Sequence, residues 1–450
     1  MRKNRTMDMT EGPIFRQLLL FSLPLLLGNA FQQLYNTVDS IVVGNFVGAD
    51  ALGAVTGVMP AINTLVGLFV GMATGASVVI SQYFGAKDDE GLRKSVHTAI
   101  TATFILGLAF MLAGYMLCPH LLRLMRTPAE IFPLAVVYLR IYFLGIEGLM
   151  FYNMTSAILR AVGDSRRPLI FLIITSLLNV VLDLIFVAAL GLGVRGVAAA
   201  TVISQFVSAA LGLITLFRSP ENYGISMRQM RLDPYMLKRI INIGLPAGLQ
   251  MAIISFSNVF VQGYINSFGA ASTSGWGIYI RIDAFVILPM QTFSMAVTTF
   301  TGQNAGARNL ARIKQGIRAT LILCTIVTLT ICSAEFAAAP YLVKLFNQEE
   351  AVVRYGTLFI RLNTMFDVLC AGNQVHACVL RGVGDSRSPM YIMIFSFVVF
   401  RQIYLFTVTH LTASVIPVAF GYPAGWIVCS VIMLIYFRKS GWERYVKAPA

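Results

Sequence analysis

The chain has 450 residues, of which 57% are hydrophobic and 12% charged, with a net charge of +14. A soluble domain carries about 25% charged residues, and a soluble core of this length cannot hide so much apolar surface. Lipid must cover it, which excludes a soluble enzyme or a water-borne binding module.

Crossing a bilayer takes roughly 20 mostly apolar residues in a helix. Twelve such stretches are predicted, at about 15–42, 53–80, 96–117, 131–155, 168–190, 194–217, 238–265, 274–301, 316–340, 351–378, 389–409 and 413–437. They are long and apolar all round, without the strict alternation of barrel strands. The expected fold is therefore an all-α integral membrane protein. The first stretch is too long for a signal-peptide core and lacks a small-residue cleavage site, so it is expected to stay as an uncleaved helix.

Basic residues cluster in the N-terminal tail, in every second loop after it and in the C-terminal tail, from Arg2, Lys3 and Arg5 to Arg438, Lys439 and Arg444. The other loops hold Arg123, Arg126, Arg195, Lys344 and Arg354. The positive-inside rule places both termini in the cytoplasm. The positive charge thus reports topology and attraction to anionic membrane lipids, and no nucleic-acid partner is expected. The six cysteines, Cys118, Cys324, Cys332, Cys370, Cys378 and Cys429, lie in or beside apolar runs with no CxxC pair, which reads as packing.

The sequence repeats itself. Leu159-Arg160-Ala161-Val162-Gly163-Asp164-Ser165-Arg166-Arg167-Pro168 returns as Leu380-Arg381-Gly382-Val383-Gly384-Asp385-Ser386-Arg387-Ser388-Pro389, with eight of ten residues identical at an offset of 221. The same offset carries Gln82 to Gln303 and Arg140 to Arg361, and an offset of 222 carries Pro24 to Pro246. Six spans separate equivalent points, so the halves enter the membrane in the same sense, related by a parallel pseudo-two-fold repeat. The repeat divides the chain into an N-terminal six-helix lobe over 1–218, a cytoplasmic linker over 219–237 and a C-terminal six-helix lobe over 238–450, an architecture that suits alternating access.

The stretch Gln33-Leu34-Tyr35-Asn36-Thr37-Val38-Asp39, followed by Gly44 and Gly48-Ala49, resembles the multidrug and toxic compound extrusion (MATE) family. So do Arg281-Ile282-Asp283 with Pro289, then Gly302-Gln303-Asn304-Ala305-Gly306-Ala307, and the doubled Leu-Arg-x-Val-Gly-Asp motif. The resemblance covers nearly the whole chain. It implies a twelve-helix, two-lobed antiporter of the cell membrane that exports small organic, often cationic, compounds in exchange for Na+ or H+, with no other cofactor and acting as a monomer. A flippase for lipid-linked sugars or similar amphiphiles, from the wider superfamily, is the alternative. The span count and the first-lobe acids favour the exporter.

Six acids fall inside predicted spans: Asp39, Glu147, Asp183, Asp283, Glu335 and Asp367. An unpaired acid at a helix centre costs about 2.5–3.5 kcal/mol on insertion scales, so each should face a partner or a wet interior. Asn179 lies four residues before Asp183, on the same helical face. By resemblance, Asp39, Asn179, Asp183 and Thr201 form a cation-coupling cluster in the first lobe. Its oxygens suit a hard metal ion, with Asp39 and Asp183 as the ligands if Na+ is coupled, and its acids suit a proton equally. Gln33, Tyr35 and Asn36, with Asp283 and Asp367, are the substrate-binding candidates. Structural pairing is the rival reading: Asp283 with a cation of the bundle, and Glu147 and Glu335 with Arg140, Arg361 or Arg401. No phosphate loop, HExxH or Ser/His/Asp arrangement points to ATP-driven transport or to an enzyme.

Overall fold

A computed structural model describes residues 6–125, 127–412 and 414–447, apart from the side chains of 35, 36, 39–45, 49, 50, 52, 60, 61, 63, 64 and 447. The described residues hold no strand. The first half runs α1 (Ile14–Phe46), α2 (Ala49–Ala86), α3 (Asp89–Leu124), α4 (Phe132–Leu144), α5 (Ile146–Ala161), α6 (Arg166–Asp183) and α7 (Gly193–Phe217). The second runs α8 (Pro234–Asn266), α9 (Ala270–Gly306), α10 (Leu310–Lys344), α11 (Glu350–Thr364), α12 (Asp367–Val383), α13 (Arg387–Ile394), α14 (Arg401–Leu411), α15 (Val415–Ala419) and α16 (Gly421–Lys439), with a short α17 (Arg444–Lys447). Each predicted stretch matches a rod, and the rods run longer. At 1.5 Å per residue, the 38 residues of α2 reach about 57 Å, well past the ~30 Å hydrocarbon core.

Among the described residues ten rods are long and apolar enough to span a membrane, and α4 with α5, bent by 47°, makes an eleventh. A further rod, α11 with α12, is more polar and carries Arg361, Asn363, Asp367, Asn373, Gln374 and His376. It breaks near Met365–Phe366, close to the repeat equivalent of the Gly145 break between α4 and α5. Two further rods contain π-helical turns, at Leu184–Ala189 directly after Asp183 and at Phe395–Phe400 directly before Arg401.

The doubled motif is a helix stop followed by a helix start. Gly163 and Gly384 adopt φ of 86° and 102°, a left-handed conformation that glycine enters without steric cost. Around them the Asp164 amide donates to the Leu159 carbonyl at 2.8 Å and the Asp385 amide to that of Leu380 at 2.9 Å, closing the preceding helices. The two aspartates then cap the helices α6 and α13. Asp164 accepts from the Arg166 and Arg167 amides, each at 3.1 Å, and Asp385 from the Ser388 amide at 3.1 Å.

The chain divides into two compact units, Met1–Asp8 with Leu23–Gly244, and Met9–Ser22 with Leu245–Ala450. The boundaries fall inside α1 and α8, immediately before Pro24 and Pro246, where proline removes a helical hydrogen bond. Within the first unit, the Gly71–Gly75 face of α2 receives the start of α8. A Cβ on Gly75 would lie 2.6 Å from the Gly244 nitrogen, and one on Gly244 would lie 2.8 Å from the Met72 Cα. Small residues thus let two backbones touch. Arg239 at the same place donates to the Tyr83 hydroxyl (2.6 Å) and to Gln82 Oε1 (2.8 Å). In the second unit, Gln303, the repeat partner of Gln82, accepts the Met9 amide at 2.8 Å, while Arg312 holds the Met9 carbonyl and Gln17, each at 2.9 Å. Each repeat therefore uses the same glutamine to seat a lead-in segment.

Candidate functional site

In the first unit, α6 and α7 face each other with a polar seam. Thr175, Asn179 and Asp183 follow one another at four-residue steps, so they share one face of α6. Asp183 is 0% exposed, Asn179 1% and Thr201 5%. With the Asn179 amide assigned so that its nitrogen faces Asp183, it donates to Asp183 Oδ2 at 3.0 Å, and its oxygen accepts the Thr201 backbone N–H at 3.3 Å. The Thr201 hydroxyl donates to the Val197 carbonyl at 3.1 Å. Further along the seam, the Ser208 hydroxyl donates to Thr175 Oγ1 at 2.8 Å. Three of the four predicted coupling residues are thus brought together. Asp39 is placed on α1, but its side chain lies outside the described residues, as do those of Tyr35 and Asn36. Gln33 is exposed on α1. Thr175 and Ser208 were missed in the sequence, although the step of four from Asn179 to Thr175 is legible there.

The second unit gathers acids that the sequence left scattered. Asp283 on α9, Glu335 on α10 and Asp367 in the first turn of α12 are all buried and lie within electrostatic reach of one another. Asp367 Oδ2 accepts from the Cys332 thiol at 3.7 Å, and Asp283 Oδ1 accepts no hydrogen bond among the described residues. An aromatic group stands beside them. Trp276 contacts Tyr279 and Tyr422 at centroid distances of 4.9 and 5.5 Å, and Tyr279 is one turn from Asp283.

The rival reading, in which these acids pair with arginine, finds no such ion pair among the described residues. Ion pairs among the described residues join Lys94 to Glu90, Arg167 to Asp164 and Lys314 to Glu443. The intramembrane arginines take other neighbours, and among the described residues the Nε atoms of Arg140 and Arg401 find no acceptor. Arg140 lies over the Tyr115 ring at 5.1 Å, and Arg361 lies over Phe336 at 5.4 Å. Arg401 donates to Ser257 Oγ (2.9 Å) and Asn258 Oδ1 (2.8 Å) and lies over Tyr422 at 4.8 Å. The reason is geometric: a ring face or a hydroxyl next door meets a guanidinium without drawing a carboxylate across the bundle. Glu147 turns its carboxylate against Gly107 of α3, where a Cβ would overlap it, and neither of its oxygens accepts a hydrogen bond among the described residues.

Comparison with known proteins fits this geometry. A family model described as MatE matches residues 24–185 and 246–407, once in each half. The probable multidrug resistance protein YpnP of Bacillus subtilis is 30% identical over 97% of each chain. The multidrug export protein MepA of Staphylococcus aureus is 24% identical over 85% of each. A solved outward-facing conformation of a multidrug resistance MATE family transporter of the MOP superfamily superposes with a TM-score of 0.92 at 25% identity, covering 100% of both chains. With the family pattern present in both halves of a helical membrane fold, the chain belongs to the MatE family of multidrug efflux transporters.

Proposed function

We propose that this chain exports small organic cations across the cell membrane by alternating access, as a monomer with both termini in the cytoplasm, in exchange for H+ or Na+. The observation that carries the reading is the set of three buried carboxylates, Asp283, Glu335 and Asp367, with no lysine or arginine at ion-pair distance among the described residues. Ionised carboxylates in a membrane interior are costly unless a positive charge joins them. A visiting cation supplies that charge. Asp283 and Asp367 are the proposed substrate contacts in this unit, with Gln33, Tyr35 and Asn36 of α1 as further ones.

Coupling is assigned to Asp183, Asn179 and Thr201, with Asp39 of α1. Fully buried, Asp183 exchanges its charge for a bound cation, and Asn179 ties that change to the backbone of α7 through Thr201. Asp183 and Asp39 suit a proton or a sodium ion alike: desolvated acids hold a proton, and carboxylate oxygens suit a hard cation.

Accumulation of a fluorescent organic cation in everted vesicles, driven by an imposed proton or sodium gradient, tests the reading. Gradient-dependent uptake is expected to disappear in Asp183→Asn and Asp39→Asn. Uptake that ignores both gradients and both substitutions would refute coupled export.

A further inference from the structure

The same arginine–ring pair occurs in each half. Arg140 on α4 lies over the Tyr115 ring of α3 at 5.1 Å, and Arg361 on α11 lies over the Phe336 ring of α10 at 5.4 Å. Arginine and ring are both related by the offset of 221, so the pair recurs as a unit. No carboxylate lies at ion-pair distance from either arginine among the described residues. The rings are open to the outside, Tyr115 being 40% and Phe336 38% exposed, and so are Leu112 and Met116 near the first and Leu329 near the second. Depth follows from rod length. α3 has 36 residues and α10 has 35, about 54 and 52 Å at 1.5 Å each. Centred on a ~30 Å hydrocarbon core, each projects about 11–12 Å beyond it at either end. The charges agree with centring, because Arg93, Lys94, Lys314 and Arg318 all fall within the first nine residues of their rods. At the far ends Tyr115 and Phe336 stand nine and eight residues from the last, about 12–14 Å, which puts both rings at the boundary of hydrocarbon and headgroups.

We propose that Arg140 with Tyr115, and Arg361 with Phe336, form a duplicated pair of phospholipid sites, in which each guanidinium binds the phosphate of an anionic lipid and each ring bears the upper part of an acyl chain. α4 and α11 start from the boundary at which α3 and α10 end, and side chains on a helix lean toward its N-terminus. Both arginines therefore lean out toward the phosphate layer, where long basic side chains settle. A ring against the face of a guanidinium leaves the N–H groups at its edge for a ligand, in the fork that matches a phosphate. Arg361 commits only its Nε, to the Phe336 carbonyl at 3.4 Å. Each arginine stands on the half of a broken rod that precedes the break, so a bound lipid fixes that half at the membrane surface. The inference needs only the membrane fold and is independent of which compound is exported.

The test is native mass spectrometry of the full-length protein in detergent, titrated with phosphatidylglycerol or with a glycolipid of the same acyl chains that lacks phosphate. The parent is expected to hold phosphatidylglycerol about tenfold more tightly than the glycolipid, at a pair of tight sites. Arg140→Gln and Arg361→Gln should each lose one of these sites, and the double variant both. Arg438→Gln, which removes an exposed cation at the end of α16, should lose neither. Inorganic phosphate should displace no lipid, because it offers the rings nothing to bear. If the parent holds both lipids equally, or a monodisperse double variant keeps phosphatidylglycerol as the parent does, the arginines are only pinned to their rings and the proposal is overturned. Displacement of the lipid by inorganic phosphate would overturn it too, leaving an anion site without a lipid. Should a variant fail to fold, the comparison of the two lipids on the parent still decides.

Discussion

The contact between α2 and the start of α8 sets up a prediction in which two opposing effects can be weighed. Replacing Gly75 by alanine places a methyl 2.6 Å from the Gly244 nitrogen and 2.7 Å from its Cα. These are backbone atoms that cannot rotate aside. Overpacking of this kind costs about 1–3 kcal/mol. Alanine regains at most ~1 kcal/mol through its better helix propensity. With the obstruction made by backbone, the clash wins, and a net loss of up to ~2 kcal/mol is expected. The control is Gly277→Ala in α9, where the added methyl meets nothing within 4 Å, so only the propensity gain remains. For units of this size ~1 kcal/mol moves Tm by about 2–4 °C. Gly75→Ala should therefore melt several degrees below the parent and Gly277→Ala slightly above it. The six free cysteines, five of them buried, let a thiol-reactive fluorophore report unfolding in detergent. Combining Gly75→Ala with Gly244→Ala should cost less than the sum, because both relieve or create the same contact. If Gly75→Ala melts at or above the parent, or the pair is additive, the close approach is not as described and the reasoning fails.

Local geometry sets three further outcomes. Lys87 and Arg308, at repeat-equivalent helix ends, hold φ of 56° and 55°, so replacing either by glycine should raise stability by up to ~1 kcal/mol, read in the same melting assay. Asp164→Ala removes two amide caps and the partner of Arg167, and should cost about 1–3 kcal/mol, with faster hydrogen exchange confined to the start of α6. Glu443→Gln breaks the pair with Lys314 between side chains 41% and 51% exposed, and should shift Tm by no more than an ion pair of under ~1 kcal/mol allows.

Much of this was legible in the residues because lipid allows few solutions. A run of apolar residues has to become a helix, so the twelve rods and their repeat follow from hydropathy and one constant offset. The step from Asn179 to Asp183 could be read because a helix brings residues four apart to one face. The breaks could not be read. The rod of α4 and α5 bends beside Gly145, with no proline there to announce it. The partners of the arginines could not be read for a related reason. Counting acids and bases suggests ion pairs, whereas Arg140, Arg361 and Arg401 settle on rings, hydroxyls and an amide that are chosen by three-dimensional proximity. The gathering of Asp283, Glu335 and Asp367 is likewise a property of packing, since they stand on α9, α10 and α12 with no shared spacing.

The π-helical turns show how chemistry departs from the duplication beneath it. A π turn carries one more residue than an α turn, so it rotates the rest of the rod and re-aims a side chain. In the first unit it begins at Leu184, directly after the buried Asp183. At the offset of 221, residue 183 corresponds to Tyr404, yet the π turn of the second unit ends at Phe400, directly before the buried Arg401. The two turns are therefore not copies at one repeat position. Each adjoins the buried charge of its own rod, acidic in one half and basic in the other. A backbone irregularity that tracks the charge rather than the repeat register indicates that the helical scaffold was duplicated whole and the fifth and eleventh rods were then reshaped separately around unlike ions. The two halves of this transporter accordingly need not perform the same ionic step.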